Sequence, residues 1–141
     1  MKKIMDEFKD LELKLTPQRL AILGLILDKP GRHPSAEEIF SKVKEDYPSI
    51  SLATIYNTLD VLTKKGRLVE ITIDSKKKHY ESNLDPHHHI VCTCCGKIGD
   101  VWDEELIKKL PVSDVGDFEV QGWHINFSGI CKDCREKQGN N

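Results

Sequence analysis

Apolar residues recur at helical spacing three times before Gly66, and the period then changes. Thr16-Pro17-Gln18-Arg19 reads as an N-cap followed by proline at the first helical position. Leu20, Leu23 and Leu27 continue that helix until Lys29-Pro30-Gly31 ends it. Ser35-Ala36-Glu37-Glu38 is a capping box that opens a second helix through Ile39 and Val43, stopping before Pro48. Ser51 caps a third helix, with Leu52, Ile55, Leu59 and Leu62 expected on its buried stripe and an end near Gly66. Phe8, Leu11 and Leu15 suit a further, leading helix.

Beyond Gly66 the pattern is strand-like. Leu68, Ile71 and Ile73 form a β-rich run, Asp74-Ser75-Lys76-Lys77-Lys78 a polar turn, and His79-Tyr80-Glu81 a returning strand. Three helices followed by a hairpin with a basic tip predict a winged helix-turn-helix. Asn83-Leu84-Asp85-Pro86 is the expected hinge, because proline disfavours helix in the residue before it. Strand-like runs follow at Ile90-Val91-Cys92, Val101-Trp102, Phe118-Glu119-Val120 and His124-Ile125-Asn126-Phe127, interrupted by a helical segment at 104–110. The tail from Lys137 is expected to be disordered. The expected class is α+β: a winged-helix domain over 1–82, a hinge over 83–86 and a small α/β domain over 87–141.

Composition narrows the class. A hydrophobic content of 38% with 31% charged residues suits a folded soluble protein. No apolar run approaches the roughly 20 residues that span a bilayer, and the opening residues lack a secretion signal, so no membrane partner is expected. Residues 1–80 carry 15 Lys and Arg against 12 Asp and Glu; residues 81–141 carry 6 against 11. Only the front half suits a polyanion. Five cysteines without an export signal point to thiolate ligands in a cytoplasmic setting.

Cys92 and Cys95 form one C-x-x-C pair, Cys131 and Cys134 another. Two such pairs close a tetrahedral thiolate site suited to Zn2+ or iron, with no open position, so its role is structural. A thioredoxin-like redox pair and ordinary buried cysteines are the alternatives. Cys94 reads as a free thiol, since only a strained C-x-C bite would make it a ligand. Just upstream, His87 and His89 share one face of an expected strand while His88 points away. With Glu81 and Asp100 nearby they suit a borderline ion such as Fe2+, Mn2+ or Zn2+. A histidine cluster can also be plain solvated surface. No nucleophile–base pair or phosphate loop argues for an enzyme. A metal-buffering or redox protein and a zinc hydrolase are the rivals from other classes.

On the third helix Ala53, Thr54 and Asn57 face outward with Tyr56 at the border. This surface lacks an arginine for guanine; Asn57 suits adenine and the others thymine methyls, which predicts an A·T-rich operator. Arg19, Lys64, Lys65, Lys76, Lys77 and Lys78 are the expected phosphate or minor-groove contacts.

Taken together, Thr16-Pro17-Gln18-Arg19, His33-Pro34-Ser35-Ala36, Ser51-Leu52-Ala53-Thr54-Ile55-Tyr56-Asn57 and His87-His88-His89-Ile90-Val91-Cys92 through Cys95-Gly96-Lys97 resemble the ferric uptake regulator family, leaning toward its peroxide-sensing repressors. The resemblance covers nearly the whole chain. It implies a homodimer, a structural zinc on four cysteines, an A·T-rich operator, and a regulatory Fe2+ or Mn2+ held by His33, Glu81, His87, His89 and Asp100. Aspartate is usual in the peroxide sensors where this chain has Glu81, and glutamate is more typical of the iron-responsive repressors of iron-uptake genes; Asp100 resembles the peroxide sensors. A further family site falls on Pro86, His88, Ile107 and Trp123, of which only His88 can ligate.

Overall fold

A computed structural model describes residues 9, 13–28, 31–72, 77–109, 115–120 and 124–139 of the 141. They form two compact units, Met1–Asp85 and Pro86–Asn141, which meet within the expected hinge. There the amide of Asp85 donates to Asn83 Oδ1 at 3.0 Å, a local turn before the proline.

Three helices build the first unit: α1 (Pro17–Leu27), α2 (Ala36–Asp46) and α3 (Leu52–Lys64). Each starts on a side-chain cap. Thr16, Ser35 and Ser51 accept from the amides of Arg19, Glu38 and Thr54 respectively, satisfying donors that the helix itself leaves unpaired. Gly66 (φ 73°) lets the chain turn out of α3. Ile22, Leu23 and Ile26 of α1, Ile39 and Val43 of α2, and Ile55, Leu59 and Leu62 of α3 meet in one core with Leu68 and Tyr80. Burial pushes the Tyr80 phenol up to about 12.

Behind the helices lies an antiparallel ribbon of β1 (Val69–Ile71) and β2 (His79–Glu81). The segment before α2 is laced onto β2: the Tyr80 amide donates to the Pro34 carbonyl at 2.9 Å. His79 Nδ1 lies 2.8 Å from the His33 carbonyl. All three residues of β2 are therefore buried.

The second unit is a three-stranded sheet in the order β4-β3-β5, with β3 His88–Cys92, β4 Ile98–Val101 and β5 Asn126–Gly129. β3 runs antiparallel to β4 and parallel to β5. Ile90 lies across two glycines of its neighbours: a Cβ on Gly99 or Gly129 would come within 3.3 or 3.4 Å of it. Helix α4 (Glu104–Lys109) separates β4 from β5, and α5 (Lys132–Gly139) closes the unit.

Several expectations are corrected. Leu52 is 37% exposed and Thr58 takes its place on the buried stripe, because the core begins one turn inside the helix. The Thr58 hydroxyl donates to the Thr54 carbonyl at 2.8 Å, which makes its burial tolerable. Phe118-Glu119-Val120 is not a strand: Val115 and Phe118 form an isolated bridge around Gly116. The chain beyond Lys137 stays helical to Gly139. His87 precedes β3 rather than lying in it. Leu13 and Leu15 pack on the core outside any helix; Phe8, Leu11 and Ile73 lie outside the described residues. No helix among the described residues is long and apolar enough to cross a membrane.

Burial separates the two leucines in energy. Leu59→Ala should destabilise by about 2–5 kcal/mol, and Leu52→Ala by less than about 1 kcal/mol. Urea denaturation at fixed zinc loading checks this.

Candidate metal centres

Cys92 ends β3 and Cys95 follows one turn later, where Gly96 (φ 79°) allows the chain to reverse. The Cys92 amide donates to the Lys97 carbonyl at 2.8 Å and the Gly96 amide to the Cys92 carbonyl at 2.9 Å, closing a knuckle. Cys131 and Cys134 sit before and inside the first turn of α5. The four sulfurs lie within 4.8 Å of one another, and Cys94 is not among them. A tetrahedron with sulfurs about 2.3 Å from its centre has an edge of about 3.8 Å. The Cys95 and Cys131 sulfurs are 3.8 Å apart, so the cluster fits Zn2+.

Electrostatics favour thiolate at the inner sulfur. The Cys131 amide donates to Cys92 Sγ at 3.3 Å, and with the Cys95 amide it lowers the Cys92 thiol to about 5. Cys134 is pushed up, first by its hydrogen bond with Cys131 and then by burial. A metal that enters must displace this proton, which ties affinity to pH. Cys94 is exposed, and Gln138 Nε2 donates to its sulfur at 3.2 Å.

The histidine and carboxylate donors fall into one group in each unit. In the first unit, His33 Nε2 lies 3.3 Å from Glu81 Oε1, both side chains being almost fully buried. The lacing of 33–35 onto β2 fixes this pair. In the second unit His87 Nε2 lies 3.1 Å and His89 Nε2 3.6 Å from Asp100 Oδ1. The register explains it: His89 pairs with Asp100 and His88 with Val101, and continuing the count sets His87 opposite Trp102. Positions 87, 89, 100 and 102 thus share one face. His88 is on the other face, where its Nδ1 accepts the Ile125 amide at 2.9 Å, a structural role. Imidazoles and carboxylates at such spacings suit a borderline divalent ion.

Of the expected DNA contacts, Ala53 and Asn57 are exposed while Thr54 and Tyr56 are half-buried. The Tyr56 hydroxyl donates to Glu37 Oε1 at 2.9 Å. That bond lowers the Glu37 carboxyl, after its own backbone hydrogen bond, and raises the Tyr56 phenol. Lys64, Lys65 and Lys77 are exposed. Lys78 pairs with Glu70 at 3.3 Å. Arg19 donates to the Lys14 carbonyl at 2.6 Å, so its guanidinium is partly engaged within the unit. Lys76 lies outside the described residues.

Two neighbours of the histidines carry no sequence signal. His124 Nε2 lies 3.1 Å from His89 Nδ1, and the Trp102 ring stacks on His87 with centroids 4.3 Å apart. Finding either requires the strand register, which spacing alone does not reveal.

A winged-helix unit followed by a thiolate knuckle with histidine and carboxylate donors is the architecture of a metal-binding transcription regulator. The chain belongs to the ferric uptake regulator family, whose description matches residues 10–128. It is 37% identical over 127 residues to the peroxide-responsive repressor PerR of Staphylococcus aureus, covering 89% of this chain and 84% of that one. Among solved structures it resembles the ferric uptake regulator of Francisella tularensis with iron (TM-score 0.72, 28% identity, 88% of this chain and 96% of that one). The Campylobacter jejuni peroxide stress regulator is also similar (TM-score 0.60, 31% identity, 94% and 97%).

Replacing Cys92 or Cys134 by serine should abolish bound zinc and loosen the second unit, while Cys94→Ser should leave one zinc per chain. Metal analysis with circular dichroism tests this; zinc lost from Cys94→Ser would reassign the ligands.

Proposed function

We propose that this protein is a dimeric, metal-dependent repressor that binds an A·T-rich operator in the cytoplasm and releases it on exposure to peroxide. The observation that carries this reading is the division of donors: a buried His33–Glu81 pair in one unit and a His87/His89/Asp100 group in the other. Neither group alone fills the coordination of an octahedral ion. Only six positions separate Glu81 from His87, across the hinge. In this reading all five residues close on one Fe2+ or Mn2+, and closure selects the shape in which paired recognition helices meet adjacent half-sites. A shift from 1:99 to 99:1 requires about 5.5 kcal/mol of preferential binding, within reach of an ion that gains ligands from both units.

The second unit supports dimerisation. Its buried residues, among those described, are His88, His89 and Cys92, while Ile90, Trp102, Val115, Phe118 and Ile130 are exposed. So much apolar surface on a unit whose described residues bury so little calls for a partner, and in this reading a second copy supplies it. Ala53, Thr54, Tyr56 and Asn57 read bases; Lys64, Lys65, Lys77 and the wing lysines beside it hold phosphates.

Fe2+ held by these residues would supply the redox chemistry that cleaves peroxide, with one oxygen passing to an imidazole and the other leaving as water, whereas Mn2+ would not. His33 or His87 would be the side chain that takes up oxygen, and an oxidised imidazole would no longer ligate. The name of the Staphylococcus aureus relative supports the peroxide signal. Glutamate at 81 favours a second reading, a plain iron sensor on the same site.

Peroxide treatment of the iron-loaded protein should add oxygen to His33 or His87, read by peptide mass spectrometry, and release operator DNA; the manganese form should show neither. Iron-loaded protein that gains no oxygen and keeps its DNA under peroxide, while releasing it when iron is depleted, establishes the iron sensor instead. Lys77→Ala should weaken binding to all duplexes and flatten the salt slope by roughly one unit. A changed base preference at unchanged slope would count against its phosphate role.

A further inference from the structure

Trp102 is 55% exposed, an unusual place for an indole in a unit whose described apolar side chains leave it no core to join. What it touches is His87. The two rings are stacked, 4.3 Å between centroids and 19° between planes. His87 is held on two further sides: its ring meets that of His89 at a steep angle with centroids 4.7 Å apart, and its Nε2 faces Asp100 at 3.1 Å. The His87 side chain is 3% exposed, while the tryptophan that lies along it is open to water.

This contact follows from register. Opposed residues of an antiparallel pair present neighbouring side chains on one face, and position 102 is opposed to position 87 once the β3–β4 pairing is continued by one step. An imidazole on a short, two-torsion side chain turns freely unless something flat lies against it. A stacked ring confines it to its own plane, with Nε2 turned toward Asp100.

We propose that Trp102 is a positioning residue for the regulatory ion: its ring holds the His87 imidazole in the ligating orientation before the ion arrives. This rests on the reading that His87 is a ligand. The property required is flatness. Phenylalanine should substitute for tryptophan, and leucine, which fills space without a π-face, should not.

The test uses the full-length, zinc-loaded protein titrated with Mn2+ alone, followed by electron paramagnetic resonance of the free ion and by tryptophan emission. Mn2+ affinity should stay within about twofold in Trp102→Phe and fall by roughly three- to tenfold in Trp102→Leu. One zinc per chain and an unchanged melting temperature would show that both variants are folded. Mn2+ should quench the wild-type emission, and Trp102→Phe should lose most of that quenching while keeping affinity. Equal affinity of Trp102→Leu and wild type, or quenching that persists in Trp102→Phe, would overturn the role of Trp102 and leave the ligand reading intact. Failure of the wild type to bind Mn2+, or a His87→Ala variant that binds it normally, would overturn the ligand reading itself.

Discussion

The four cysteine sulfurs lie together at the turn between β3 and β4, the two strands whose register sets the histidine face. Side chains of a strand alternate between faces, so a slip of one residue would carry every donor to the opposite side of the sheet. With Cys92 and Cys95 pinned to Cys131 and Cys134, His89 pairs with Asp100. His87 and Trp102 then fall on the same face as that pair. Zinc in a closed four-thiolate site contributes on the order of 10–16 kcal/mol near neutral pH, and among its described residues the second unit buries only His88, His89 and Cys92.

The first unit is stabilised in a different way. Its core comes from three capped helices and Tyr80, an ordinary hydrophobic interior. The wing ribbon does double duty there. Tyr80 completes the core, while its neighbours on β2, His79 and Glu81, tie down the segment carrying His33. A buried carboxylate beside a buried imidazole is an expensive arrangement unless further charge compensates it.

Much of this was legible in the residues. The three helix starts were readable because Thr16, Ser35 and Ser51 are caps with local, sequence-adjacent partners. The two C-x-x-C pairs announced their cluster for the same reason: each bite is a tight turn. His87 and His89 were readable from strand alternation, and Glu81 and Asp100 as nearby carboxylates. His33 came from family resemblance alone, since its link to β2 spans 46 positions. Leu52 was misplaced because periodicity does not say where along a helix the core begins. His124 and Trp102 stayed hidden because their partners are set by strand register. Lys78 and Arg19 have local partners, Glu70 and the Lys14 carbonyl, that spacing along the chain does not reveal.

In the proposed reading there are two levels of control: thiolates hold the register, and the register sets the face that binds the ion. The most direct measurement is Mn2+ affinity at the histidine face before and after the thiolate zinc is stripped under reducing conditions. Loss of the Mn2+ site on stripping, and its return when one zinc per chain is restored, is the expected result. A zinc-free protein that binds Mn2+ as tightly as the loaded one would contradict it.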